Sequence, residues 1–251
     1  MSLEKSDAIV LRSVEWSETS LVVTLLTRSF GKISAIARGA RRLKSPFESA
    51  LDLLSNSSVV FLMKSGDTLD LLTEAKLQRR FKSSQIGLLP LYCGYYAADL
   101  ISALTEHHQP IPGLMELLDQ TLIELDAGQC PASVTLRFEL HTIKQLGLMP
   151  SLDHCIGCGE PMTMTKPSVS FAVLGGGVVC SRCVPMQNRV LRIQEESWQT
   201  LKSVMETELH QPLVPLGRTV RSEVRWVMEH VIGHLTDRRL RLMDYLEELK
   251  R

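Results

Sequence analysis

Along the first eighty residues, apolar and polar positions change over in short runs broken by turn residues. Asp7 to Glu15 and Thr19 to Thr27 are rich in Val, Ile, Leu and Thr, with a short polar turn between them, a composition that suits strands. Phe30-Gly31-Lys32 predicts a hairpin turn, after which Ile33, Ala35 and Ala37 alternate with Ser34 and Ile36 up to Arg38. Leu51 to Met63 and Thr68 to Leu77 then flank a turn at Ser65-Gly66-Asp67. The texture predicts about five strands. Such strands suit the small closed barrel of the OB fold, which binds oligonucleotides, and an SH3-like barrel suits them nearly as well.

Near Ser84 the apolar spacing changes to three and four residues, and helices are predicted over 86–106, 113–127 and 131–147. Pro110-Ile111-Pro112-Gly113 and Gly128 separate them, Pro131 stands in a first turn, and Gly147 with Pro150 ends the third. The segment 150–188 predicts short strands at Ser168 to Phe171 and Val178-Val179 around the turn Gly175-Gly176-Gly177. Helical spacing resumes in Glu195 to Glu208, Arg218 to Leu235 and Arg238 to Leu249. The expected fold is α+β and multidomain: an N-terminal OB-fold β-barrel (1–80), then an α-helical domain (81–149 and 189–251) with an inserted four-cysteine zinc module (150–188).

A chain of 251 residues that is 44% apolar and 22% charged has the composition of an ordinary globular protein. The charged opening Met1 to Asp7 carries no apolar signal core, and apolar runs such as Ile86 to Leu91 are too short to span a bilayer. Unpaired Cys93 and Cys130 fit a reducing cytoplasm, so a cytoplasmic location is expected. Formal net charge is zero, which argues against indiscriminate nucleic-acid binding, but its distribution is uneven. Between Glu18 and Glu48 there is no acidic residue, while Arg28, Lys32, Arg38, Arg41, Arg42 and Lys44 all fall there. A patch of one sign around Gly39 supplies the field that a phosphate backbone requires, and these six residues are the candidate nucleic-acid-binding set.

Cys155-Ile156-Gly157-Cys158 and Cys180-Ser181-Arg182-Cys183 carry the strongest chemical signal. Two-residue spacers let both sulfurs of a pair reach one tetrahedral ion, so Cys155, Cys158, Cys180 and Cys183 read as the ligands of one Zn²⁺. Four protein ligands leave no open position, which makes the expected role structural. Other features argue against enzymatic chemistry. Gly175-Gly176-Gly177 lacks the Lys-Ser or Lys-Thr of a P-loop, and Val231 follows His230 where a zincin helix needs Glu. His154 suits a supporting or exposed place beside Cys155, and His107-His108 suits a helix end. No catalytic residues are predicted.

Arg38-Gly39-Ala40-Arg41-Arg42, then Leu146-Gly147-Leu148-Met149-Pro150 leading into Cys155-x-x-Cys158-Gly159, then Gly176-Gly177-Val178-Val179-Cys180-x-x-Cys183, resemble the bacterial RecO recombination-mediator family over essentially the whole chain. The resemblance implies an OB fold, a helical domain with a zinc module, and no catalytic turnover. It also implies binding of single- and double-stranded DNA, annealing of complementary strands, pairing with RecR, and help for RecA in replacing single-strand-binding protein. An OB-fold and zinc-ribbon RNA-binding protein is the alternative. With only Trp16, Phe30, Phe47 and Phe61 in the barrel region, base stacking is expected to contribute little beside phosphate contacts.

Overall fold

The computed structural model describes residues 2–42, 44–64, 68–82, 85–163, 167–206, 216–236 and 240. They divide into two compact units, one built on Met1–Thr135 and the other on Leu136–Leu240. The expected turn at Ser65-Gly66-Asp67 and all of the expected helix Arg238 to Leu249 except Leu240 lie outside the described residues.

In the first unit β1 (Ser2–Glu15), β2 (Leu21–Thr27), β3 (Gly31–Ala37), β4 (Asn56–Met63) and β5 (Asp70–Arg79) hydrogen-bond in the order β1-β2-β3-β5-β4, and β4 pairs back onto β1. β1 serves two neighbours because it is long: its first half pairs with β4 and its second half with β2, across an irregularity between Val10 and Arg12. Alternation directs Val23, Leu25, Ile33, Ala35, Val59, Phe61 and Leu72 into one core, closed by Phe47, Ala50 and Leu51. Each large side chain so buried contributes roughly 1.5–3 kcal/mol.

The run Leu51 to Met63 is not one strand. Glu48–Leu51 forms a 3₁₀ turn and β4 starts only at Asn56. The hydroxyls of Ser55 and Ser57 donate to the Ala50 carbonyl at 2.9 and 2.8 Å, a local bonding pattern that competes with strand pairing. α1 (Leu88–Leu104) and α2 (Leu114–Asp126) belong to this same unit.

The second unit holds most of α3 (Pro131–Gln145), then β6 (Ser168–Ala172), β7 (Gly177–Val179), β8 (Val190–Gln194), α4 (Glu195–Glu206) and α5 (Arg218–Leu235). The strands form an antiparallel sheet in the order β7-β6-β8. Trp198 of α4 is buried and donates its indole N–H to the Leu152 carbonyl at 2.9 Å. Arg225 of α5 donates to Glu139 of α3 at 3.0 Å, and both are buried.

The expected fold class is therefore corrected. The N-terminal strands form a ring of mixed polarity, not an evenly paired OB barrel: its β3–β5 seam is parallel and only three residue pairs long, Ala35 with Asp70 through Ala37 with Leu72. Nor, among the described residues, is there a helical domain interrupted by a self-contained zinc module. α1 and α2 fold with the ring, and the cysteine segment is built into a mixed unit whose third strand, β8, lies beyond residue 188 and leads directly into α4. Val190-Leu191-Arg192-Ile193-Gln194 alternates cleanly, but a five-residue strand abutting a helix is easily absorbed into the helical reading.

Candidate metal centre and basic loop

Two tight turns bring the cysteines together. Cys155 accepts at its carbonyl from Gly159 N–H at 2.8 Å, and Cys180 accepts from Cys183 N–H at 3.0 Å. Gly159 turns the first knuckle with φ +75, a left-handed conformation that glycine adopts at no steric cost. Cys155, Ala172, Val179 and Cys183 share a small apolar core, so the knuckles rest on β6 and β7. All four sulfur atoms lie within 4.8 Å of one another, and this cluster can hold one metal ion.

The surroundings suit anionic sulfur. Burial pushes the Cys155 thiol up, but the N–H groups of Cys180, Cys158 and Gly157 outweigh it and bring it down to about 6. The Cys180 and Gly157 N–H groups lie 3.3 and 3.4 Å from that sulfur. Cys183 is pushed up to about 12, by the Cys180 side chain first and then by burial. Four sulfurs this close resist becoming anionic together unless a cation joins them. Gly157, a residue with no metal-binding chemistry of its own, makes the packing feasible: a Cβ there would lie 2.8 Å from Cys183 Cβ.

His154 and His230 find ordinary places. His154 is exposed and lies outside the four-sulfur cluster. His230 sits between the Trp226 carbonyl, 2.7 Å from Nδ1, and Arg189, 3.2 Å from Nε2.

The six basic residues do not share one environment. Arg38, Arg42 and Lys44 are exposed on the loop after β3 and, among the described residues, have no acidic partner. Gly39 turns that loop with φ +74, and Arg42 N–H donates to its carbonyl at 3.1 Å. Arg41 reaches the β1–β2 turn, pairing with Glu15 at 2.9 Å and donating to the Ser17 carbonyl at 3.2 Å. Arg28 pairs with Glu116 at 3.0 Å and lies 3.7 Å from Asp7. Lys32 is only 6% exposed, its ammonium held by the carbonyls of Ser102 and Thr105 at the end of α1. Trp16 stands 66% exposed in the β1–β2 turn.

No described helix is long and apolar enough to cross a membrane. The sequence matches the family described as Recombination protein O N terminal over residues 1–81 and that described as Recombination protein O C terminal over residues 88–244. It is 42% identical to the DNA repair protein RecO of Rhodopirellula baltica, over 83% of this chain and 76% of that protein. Identity to the DNA repair protein RecO of Anaeromyxobacter dehalogenans is 35% over 99% of this chain and 98% of that protein. For the protein of the same name from Symbiobacterium thermophilum it is 30% over 100% and 99%. With both family regions matched and relatives aligned nearly end to end, the chain belongs to the RecO family of DNA repair proteins, mediators of recombination that catalyse no reaction of their own.

Proposed function

We propose that this protein promotes recombinational repair as a DNA-backbone platform, binding single- and double-stranded DNA and annealing complementary strands. The observation that carries the reading is the loop around Gly39, where Arg38, Arg42 and Lys44 stand exposed with no ion-pair partner among the described residues. Arg41 and Arg28, already paired with carboxylates, supply secondary contacts. A guanidinium has five donors, so Arg41 keeps some for a phosphate. Contacts of this kind neutralise two approaching backbones and leave base edges free to pair. The driving free energy is that of base pairing, and no nucleotide is consumed.

The cysteine cluster holds one structural Zn²⁺. Thiolates about 2.3 Å from a tetrahedral zinc lie about 3.8 Å apart, and the sulfurs of Cys158 and Cys180 are 3.8 Å apart. The ion would tie both knuckles to the sheet and neutralise the thiolates. RecR, single-strand-binding protein and, indirectly, RecA are the partners of this reading, with the platform delivering coated single strands for exchange.

A strand-annealing assay on DNA coated with its cognate single-strand-binding protein tests the proposal. Acceleration without ATP that weakens as salt rises is expected. Absence of annealing at low salt, together with much tighter binding to a matched RNA strand, would replace it with an RNA-binding role.

A further inference from the structure

Four aromatic residues occur in the first eighty positions, and the fold sorts them. Phe47 and Phe61 are buried, and Phe30 packs edge-on against Phe61 with ring centroids 5.4 Å apart. Trp16 remains outside. Its place is set by its neighbours, because Arg41 grips the residue on either side of it: the guanidinium meets the Glu15 carboxylate at 2.9 Å and the Ser17 carbonyl at 3.2 Å. The Arg41 backbone N–H donates to the Thr19 carbonyl at 3.1 Å, and Trp16 N–H donates to the Ser20 carbonyl at 3.0 Å. The indole is therefore carried on a turn that is bonded to the arginine loop. A cleft of about 350 Å³ is lined by Ser13 and Leu21 on either side of that turn, by Ala40 of the loop, and by Leu51, Asp52 and Leu53 at the end of the 3₁₀ turn.

We infer that Trp16 is a stacking site for one unpaired base of single-stranded DNA, flanked by the phosphate contacts of Arg38, Arg42 and Lys44. This rests on the backbone-platform reading and adds selectivity to it. Phosphate contacts alone treat strand and duplex alike. An exposed indole face does not, because a base inside a helix can stack on it only after its own step is unstacked, which costs a few kcal/mol. The protein then holds an unpaired strand more tightly than the duplex it forms. Pairing removes the base from Trp16 and weakens the grip on the product, so annealing releases its own result.

The test measures affinities for three ligands of equal phosphate number: an oligo(dT) strand, a blunt duplex and an abasic strand. Trp16→Ala should weaken oligo(dT) binding by roughly 5- to 140-fold, with duplex affinity unchanged within about twofold, and Trp16→Phe should keep most of the oligo(dT) affinity. The abasic strand should bind the parent protein as weakly as oligo(dT) binds Trp16→Ala. A paired reversal, Arg42→Glu with Lys44→Glu, should weaken all three ligands together. If that reversal changes none of them, the platform reading fails and this inference with it. If the reversal weakens them but Trp16→Ala leaves the ratio of strand to duplex affinity unchanged, the stacking site alone is overturned.

Discussion

The ammonium of Lys32 donates to the Ser102 carbonyl at 2.7 Å, at the C-terminal end of α1. A cation there meets the unsatisfied carbonyls and the negative pole of the helix. Burial is the first cause lowering its pKa, with Glu106 acting in the opposite direction. The residue that looked like a phosphate ligand in the basic stretch instead joins β3 to α1.

Replacing Lys32 by Met should accordingly destabilise the first unit by about 1.5–3 kcal/mol, the range for a lost hydrogen bond to a charged group. Denaturant unfolding measures this. The salt dependence of DNA affinity should be unaffected. A stable Lys32→Met protein with a shallower salt slope would return Lys32 to the DNA surface.

Arg38 and Arg42 are exposed without described acidic partners, and each should behave as an independent phosphate contact. Changing both to Gln should make the slope of log affinity against log salt for a single strand shallower by about 1.4, at about 0.7 per contact. Titrations of several strand sequences over a range of salt should give the same change each time. A slope equal to that of the parent protein moves the DNA surface off this loop.

Metal removal should act locally. Chelation of the purified protein, or Cys155→Ser, should raise hydrogen exchange in the knuckles and in β6 and β7 while leaving DNA affinity intact, because the basic loop lies in the other unit. Gly157→Ala should weaken metal retention without removing a ligand, since the new methyl would fall 2.8 Å from Cys183 Cβ. Metal content by mass spectrometry checks both. A Gly157→Ala protein retaining its full metal complement under chelator challenge would contradict the packing argument.

His107 titrates below its ordinary value of 6.5, first through partial burial and then through the positive charges of Lys32 and His108. The unfolded chain therefore takes up this proton before the folded one as pH falls. The contribution of His107 to stability is complete above 6.5 and is lost as pH falls through the lower, folded value. Between about pH 7.5 and 5, thermal midpoints should fall less steeply for His107→Gln than for the parent. Identical pH profiles would rule this group out as the source.

What the chain determines by itself is the chemistry that lies within a few residues. The two-residue cysteine spacers dictate knuckles, and the four cysteines do come together. Alternation in β2 and β3 decides which side chains face inward, and three- and four-residue spacing yields α1, α2 and α3 close to their expected bounds. Tertiary structure decided everything that depends on a distant segment. The end of α1 removes Lys32 from the basic surface, and the turn before β2 engages Arg41 while leaving Trp16 exposed. β8 adds to β6 rather than extending the helical stretch, and Arg225 meets Glu139 across 86 residues of chain. Charge and periodicity are local properties, whereas burial, partnership and exposure are set only when segments far apart in the chain are packed against each other.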